Sequence, residues 1–295
     1  IGKEGHPNQE STYAVTVTDA WLKAMVEGDQ DKRKIWAKVI QRRTEIGYPY
    51  ILFTDNVNNN TVDVYKDKDM KIYGSNLCSE ICLPTNDELS FVCCLSSINL
   101  RHYNEWKDTD AVETLAMFLD TVIGEFVERL ETLRDSDDLQ KKSAFYFMQR
   151  AHKFAKEHRA LGLGVLGWHT FLQENNIAFE SEKAMKLNEE IFALIKDKAY
   201  KASEQMAKDY GEPEVLKGYG RRNTTLLAVA PTTSSAFILG QVSQGIEPFM
   251  SNCFVKDVDK MKVTIKNPTL EALLEEKGVN NSDTWNSIRE NDGSV

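Results

Sequence analysis

No run of apolar residues in the 295-residue chain approaches the ~20 needed to cross a bilayer. A membrane span is therefore not expected. The opening residues, "IGKEGHPNQES", hold neither an initiator methionine nor the apolar centre of a secretory signal. The chain thus reads as an internal piece of a longer, cytoplasmic protein. Basic residues are the minority, with 36 Lys and Arg against 45 Asp and Glu for a net charge of −9, and no basic stripe interleaved with aromatics occurs. Nucleic acid and anionic membranes are not expected as direct partners. Cysteine is scarce and odd in number, at five, which argues against a secreted disulfide framework. There is no C-x-x-C, and no histidine stands at ligand spacing from a cysteine pair, so no metal site is expected. Internal repeats, low-complexity linkers and an evident domain boundary are missing too.

What is present is an ordinary globular composition, 41% hydrophobic and 27% charged. Thr18 or Asp19 can cap a helix carrying Trp21, Leu22, Met25 and Val26, and a second amphipathic pattern ends before Gly47. "YPYILFTD" reads as a buried strand, "NVNNNTVDVYKDKDMK" as a loop and "LSFVCCLSSINL" as a strand. Helical spacing recurs from about Asp110 to Leu133, again after the solvated break "RDSDDLQKK", and from about Ser181 to Tyr210. "NTTLLAVAPTTSSAF" runs from a strand into a helix start. Strands alternating with helices predict an α/β architecture in one continuous domain.

Three motifs carry chemistry. In "GSNLCSEICLPT" an extended chain would send residues at i−2, i and i+2 to one face, so Asn76, Cys78 and Glu80 project together. An amide, a thiol and a carboxylate around one small volume suit sulfur chemistry coupled to proton transfer, although most lone cysteines are inert. Four of the five cysteines lie within residues 78 to 94, so Cys93 or Cys94 could face the same volume. "GLGVLG" matches the dinucleotide pattern G-x-G-x-x-G, but the basic, helix-like segment before it is the wrong context. Close backbone packing is the better account of those glycines. "APTTSSAF" places Thr232, Thr233, Ser234 and Ser235 at a helix start, where amides and hydroxyls suit a phosphate, or serve as an ordinary cap.

Together "SNLCSEICLPT", the cysteine of "CCLSSINL", "RALGLGVLGW" and "APTTSSAFILGQVSQGIEP" resemble, in order and spacing, the large catalytic subunit of class I ribonucleotide reductases. The resemblance implies part of a ten-stranded α/β barrel with Cys78 on an internal finger loop. It implies that Cys78 becomes a thiyl radical that abstracts the 3′ hydrogen of a ribonucleoside diphosphate, with Glu80 taking the 3′-hydroxyl proton and Asn76 holding the sugar hydroxyls. Cys93 would be a redox-active cysteine whose disulfide partner lies outside this chain, and Cys94 stands where a non-cysteine residue is more usual. Thr232, Thr233, Ser234 and Ser235 would hold the substrate phosphates.

The same resemblance implies no cofactor bound in this chain, a radical supplied by a metal-containing small subunit, a thioredoxin- or glutaredoxin-type reductant, and the remaining segments of the large subunit as partners. The tandem tyrosines and cysteine-bearing tail of the family have no counterpart here, so the isolated fragment is expected to be inactive. Two alternatives stand beside this reading. One is a cobalamin-dependent relative, less favoured by the hydroxyl-only PTTSS turn; the other is a non-catalytic nucleotide-binding or assembly piece of a split reductase.

Overall fold

The computed structural model describes residues 12–92, 94–258 and 261–295. In chain order the elements are β1 (Ala14–Val17), α1 (Asp19–Glu27), α2 (Gln30–Ile46), β2 (Tyr50–Phe53), α3 (Thr54–Asn60), α4 (Asp63–Asp67), β3 (Leu95–Asn99), α5 (Tyr103–Trp106) and α6 (Ala111–Arg134). There follow α7 (Leu139–His158), β4 (Gly162–Leu166), α8 (Trp168–Glu174), α9 (Glu182–Tyr210), α10 (Thr233–Ile238), β5 (Cys253–Val258), β6 (Met261–Lys266), α11 (Pro268–Glu276) and α12 (Ser282–Glu290). Helices and strands alternate as an α/β chain should. Among the described residues the strands form three two-stranded sheets rather than a closed barrel. The chain divides into two compact units, one comprising the chain up to Cys94 with residues 117–162 and 203–228, the other residues 95–116, 163–202 and 229–295.

The first unit opens on a parallel pair, β1 beside β2, with Ala14 opposite Tyr50. Parallel strands need a long crossover, and α1 and α2 supply it. Thr18 Oγ1 accepts the Trp21 amide at the start of α1, and Gly47, in the left-handed region at φ 77°, ends α2. β2 is half-buried rather than buried, because one neighbouring strand leaves much of its surface uncovered. The polar stretch after it is helical, as α3 and α4, and not the loop its composition predicts. Val64 and Tyr65, 0% and 1% exposed, carry α4 into the core, so tertiary burial overrides weak local propensity.

Two buried polar groups organise this unit. Asp120 on α6 receives Arg159 through Nε at 2.7 Å and Nη2 at 2.8 Å, Arg222 Nε at 2.9 Å, and Asn223 Nδ2 at 2.9 Å. Burial opposes the Asp120 charge, but the two guanidiniums outweigh it and hold the carboxyl below its ordinary value. Ser203 on α9 extends the network, its hydroxyl donating to Asn223 Oδ1 at 2.8 Å. The second group is His158 at the end of α7. The Tyr65 hydroxyl donates to Thr224 Oγ1 at 2.9 Å and lies 3.2 Å from His158 Nδ1, while Phe154 stacks on the imidazole at 4.1 Å. Burial, with a smaller push from Lys68, lowers His158 to about 4.

In the second unit β3 pairs with β4, and the "GLGVLG" segment is itself the buried strand β4 with the turn that ends it. Gly167 turns the chain at φ 82°, where an added Cβ would lie 2.9 Å from Asn99 Oδ1 and 3.4 Å from Val242. Close packing, not a phosphate-binding turn, accounts for that glycine. The predicted strand before "PTTSS" is reduced to a single bridge at Leu227. β5 and β6 form an antiparallel hairpin, Cys253 opposite Lys266, and α11 and α12 close a small core of Leu270, Leu274, Trp285 and Ile288. No helix among the described residues is long and apolar enough to cross a membrane.

Replacing Asp120 by Ala leaves two largely buried guanidiniums unpaired, and denaturant unfolding should show a loss of about 3–5 kcal/mol. The Asp120 carboxyl is lowered on folding, so its contribution is present above the unfolded value and disappears as pH falls through the folded one. His158 acts in a higher window. Its pKa falls from 6.5 to about 4, so the unfolded chain takes up a proton before the folded one does. Stability should therefore decline as pH drops from 6.5 towards 4, by up to ~3 kcal/mol. A thermal-unfolding series with His158→Gln should flatten that slope.

Candidate active site

Asn76, Cys78 and Glu80 do not lie on an extended strand. The Ser79 amide donates to Asn76 O at 3.1 Å, closing a turn over residues 76–79, and Ser79 adopts φ 68°. Asn76 clamps the turn from both sides, its amide donating to Ile81 O and its Oδ1 accepting the Ile81 amide, each at 3.1 Å. The cause is the tendency of asparagine to bond nearby backbone. Cys78 is consequently presented at the tip of a turn, and its thiol is exposed. The shielding expected for a radical cysteine is not supplied by the described residues.

Beyond the turn the chain straightens. Ile81 and Leu83, 7% and 4% exposed, point into the core, and alternation then puts Glu80 and Cys82 together on the other face. Glu80 Oε2 is buried without a hydrogen-bond partner among the described residues. Burial, and after it the Glu80 carboxylate, pushes the Cys82 thiol up. The Tyr48 and Tyr50 rings lie 5.1 Å apart. The Tyr50 phenol is raised above all by its hydrogen bond with Tyr48, with Cys78 making a smaller contribution. The Cys94 thiol donates to Leu119 O at 3.4 Å, a packing contact with α6. Cys93 lies outside the described residues.

The PTTSS turn belongs to the second unit. Thr232 stands at φ 52° before α10 and makes no side-chain cap bond. Its hydroxyl instead accepts the Gly245 amide at 2.8 Å, and Thr233 Oγ1 donates to Gln244 Oε1 at 3.2 Å. Both threonines thus hold the following "GQVSQGIEP" loop against the turn. Ser234 and Ser235 are exposed, and their hydroxyls face no hydrogen-bond partner among the described residues. α10 spans only six residues, so any anion held here depends on hydroxyls and free amides more than on a helix dipole.

Sequence reasoning missed the residues that fix this arrangement. Ser243 and Thr170 bond reciprocally, the Ser243 amide to Thr170 Oγ1 at 2.9 Å and the Thr170 amide to Ser243 Oγ at 3.2 Å. The Gly167 amide donates to Ser243 O at 2.8 Å. Leu166, Ala236 and Val242 pack into one buried cluster. The glycine-rich strand is therefore the platform on which the phosphate-type turn rests. The only signal in the sequence is the serine of "GQVSQGIEP", and no periodicity exposes such a bond.

The comparisons fit these features. The family model for the ribonucleotide reductase barrel domain matches residues 3–218 and 212–295. A putative ribonucleoside-diphosphate reductase large subunit of Frog virus 3 is 37% identical over 309 residues, covering 100% of this chain and 53% of that protein. The large subunit from Danio rerio is 29% identical, covering 97% of this chain and 38% of its own length. The structure of the Actinobacillus ureae class Id ribonucleotide reductase alpha subunit superposes with a TM-score of 0.87 at 53% identity, covering 100% of this chain and 52% of that one. The chain spans about half the length of the viral and Actinobacillus relatives. With a matched barrel-domain model across nearly its whole length and the Asn-Cys-Glu turn in place, the chain belongs to the ribonucleotide reductase large-subunit family.

Proposed function

We propose that residues 1–295 form part of the barrel domain of a ribonucleoside-diphosphate reductase and carry its thiyl-radical site. The observation that carries this reading is the turn that presents Cys78 at its tip, clamped by Asn76 and followed by a buried Glu80 oxygen that has no partner among the described residues. Cys78, as thiyl, takes the 3′ hydrogen atom of the substrate ribose and becomes S–H. Glu80 accepts the 3′-hydroxyl proton, for which a carboxylate oxygen with no competing donor is suited. The 2′-hydroxyl then leaves as water with a proton from a cysteine pair, and once that pair has reduced C2′, Glu80 returns its proton to the 3′ oxygen and Cys78 returns its hydrogen atom to C3′, which regenerates the thiyl. Asn76 has its Oδ1 engaged by Ile81, which leaves its Nδ2 hydrogens for the sugar hydroxyls.

Cys93 and a second cysteine outside this chain supply two electrons and two protons and close a disulfide. A thioredoxin- or glutaredoxin-type dithiol reopens it. The packing bond of Cys94 to Leu119 O supports Cys93 as the redox partner. Ser234 and Ser235 hold the diphosphate, with Thr232 and Thr233 keeping the turn in shape. A metal-containing small subunit supplies the oxidising equivalent that makes the Cys78 radical, and the remaining large-subunit segments complete the site. We infer a cytoplasmic setting, because a dithiol-reopened disulfide needs a reducing compartment.

In the assembled enzyme Cys78→Ser should abolish turnover while leaving nucleotide binding nearly intact, because an O–H bond is too strong to yield the needed radical. Deoxynucleotide formation near the parent rate would remove Cys78 from the mechanism. Cys93→Ser should stop multiple turnover. Cys94→Ser should be mild, costing about 1 kcal/mol of stability at most, since a hydroxyl can keep the bond to Leu119 O. Loss confined to Cys94→Ser would reverse the assignment.

A further inference from the structure

α8 begins without a cap of its own. The residue before it is Gly167, which has no side chain to accept a bond from the first turn, and the first four amides of a helix find no partner inside it. The partners come from a loop far along the chain. The Gly167 amide donates to Ser243 O at 2.8 Å, the Trp168 amide to Gly245 O at 3.4 Å, and the Thr170 amide to Ser243 Oγ at 3.2 Å. In return Thr170 Oγ1 accepts the Ser243 amide at 2.9 Å. Thr170 and Ser243 are 3% and 1% exposed, so neither can exchange its partner for bulk water. Losing one hydroxyl strands an amide in the interior.

The loop that caps α8 also holds the PTTSS turn. Its Gly245 amide donates to Thr232 Oγ1 at 2.8 Å, and its Gln244 Oε1 accepts from Thr233 Oγ1 at 3.2 Å. A Cβ on Gly245, which stands at φ 46°, would lie 3.1 Å from the Ala230 carbonyl oxygen, so the loop closely approaches the chain that enters the turn. The Val242 amide donates to Ala236 O at 3.1 Å. From Thr170 to Ser234 and Ser235, each link is therefore a hydrogen bond or a peptide bond, and all of them lie in one compact unit.

We propose that Thr170 and Ser243 are positioning residues for the substrate diphosphate. Their reciprocal bonds fix residues 243–245 against α8, and through Thr232 and Thr233 those residues fix where Ser234 and Ser235 stand. Neither Thr170 nor Ser243 touches the substrate. The inference rests on the reading of Ser234 and Ser235 as the groups that hold the diphosphate. Hydrogen bonds weaken steeply with misalignment, so loosening the loop weakens diphosphate binding while the residues of the Cys78 turn stay as they are.

The test uses the complete large subunit with its small subunit, and cytidine 5′-diphosphate as substrate. Thr170→Val and Ser243→Ala should each raise KM roughly fivefold with kcat changed by less than about twofold, the pattern of lost uniform binding. Thr170→Ser, which keeps Oγ, should recover most of the loss. The double variant should cost less than the sum of the two single ones, since both break one link. Hydrogen exchange gives a readout on the unmodified subunit, whether or not a variant folds. Adding cytidine 5′-diphosphate should slow the amides of residues 232–236, 243–245 and 167–170 together and leave α12 unaffected. An unchanged KM in both variants, a fall in kcat at constant KM, or protection that stops at residues 232–236 would overturn the proposal. The control is Ser234→Ala with Ser235→Ala. If it raises KM while the Thr170 and Ser243 variants do not, only the positioning role fails; if it leaves KM unchanged, the diphosphate reading fails and the positioning role with it.

Discussion

The buried carboxylate of Asp120 is the constraint on which the first unit depends. It accepts hydrogen bonds from Arg159, Arg222 and Asn223, residues that come from the end of α7 and the segment after α9. A charge of this kind is tolerated in a protein interior only if nearly every lone pair is used, so its partners are held to narrow positions. Arg159 takes a left-handed conformation at the C-terminus of α7, with its amide bonded to Ala155 O. Asn223 passes the constraint to Ser203 and to the Arg159 carbonyl, at 2.8 Å and 2.9 Å. Three chain segments far apart in sequence meet at one carboxylate.

In each of the two candidate motifs, one in either unit, the polar residues divide into those that shape and those left available. Asn76 uses its backbone and its side-chain oxygen to close the cysteine turn, and keeps its amide hydrogens. Thr232 and Thr233 tie down the loop after the PTTSS turn, while Ser234 and Ser235 remain open. Glu80 keeps one buried oxygen without a donor among the described residues. Such an oxygen is costly to maintain in a folded chain.

Much of the helical layout was legible from sequence because caps and periodicity are local. Thr18, Gly47 and the apolar stripes of α6, α7 and α9 mark their elements without reference to the rest of the chain. α3 and α4 were not legible, since their polar sequence forms helices only when Val64 and Tyr65 are buried and Asn58 bonds both the amide and the carbonyl of Ile72, each at 2.9 Å. The strand before PTTSS was over-read for the opposite reason: its β-forming residues find one bridge instead of a full partner strand.

The sequence by itself determined which side chains are available and how far apart they stand along the chain: the Asn-x-Cys-x-Glu spacing, the four hydroxyls after Pro231 and the lack of any metal-ligand cluster by spacing. Those properties are one-dimensional, so they need no fold to be read. Only the tertiary structure decided that the cysteine segment is a turn rather than a strand, that two of the four hydroxyls are engaged in holding a loop, and that the glycine-rich motif is a buried strand under the phosphate-type turn. The reason is physical. A backbone amide or a hydroxyl pairs with whatever acceptor packing brings within about 3 Å, and the partners chosen here, Ile81, Gly245, Gln244 and Ser243, are set by packing and chain path rather than by residue type.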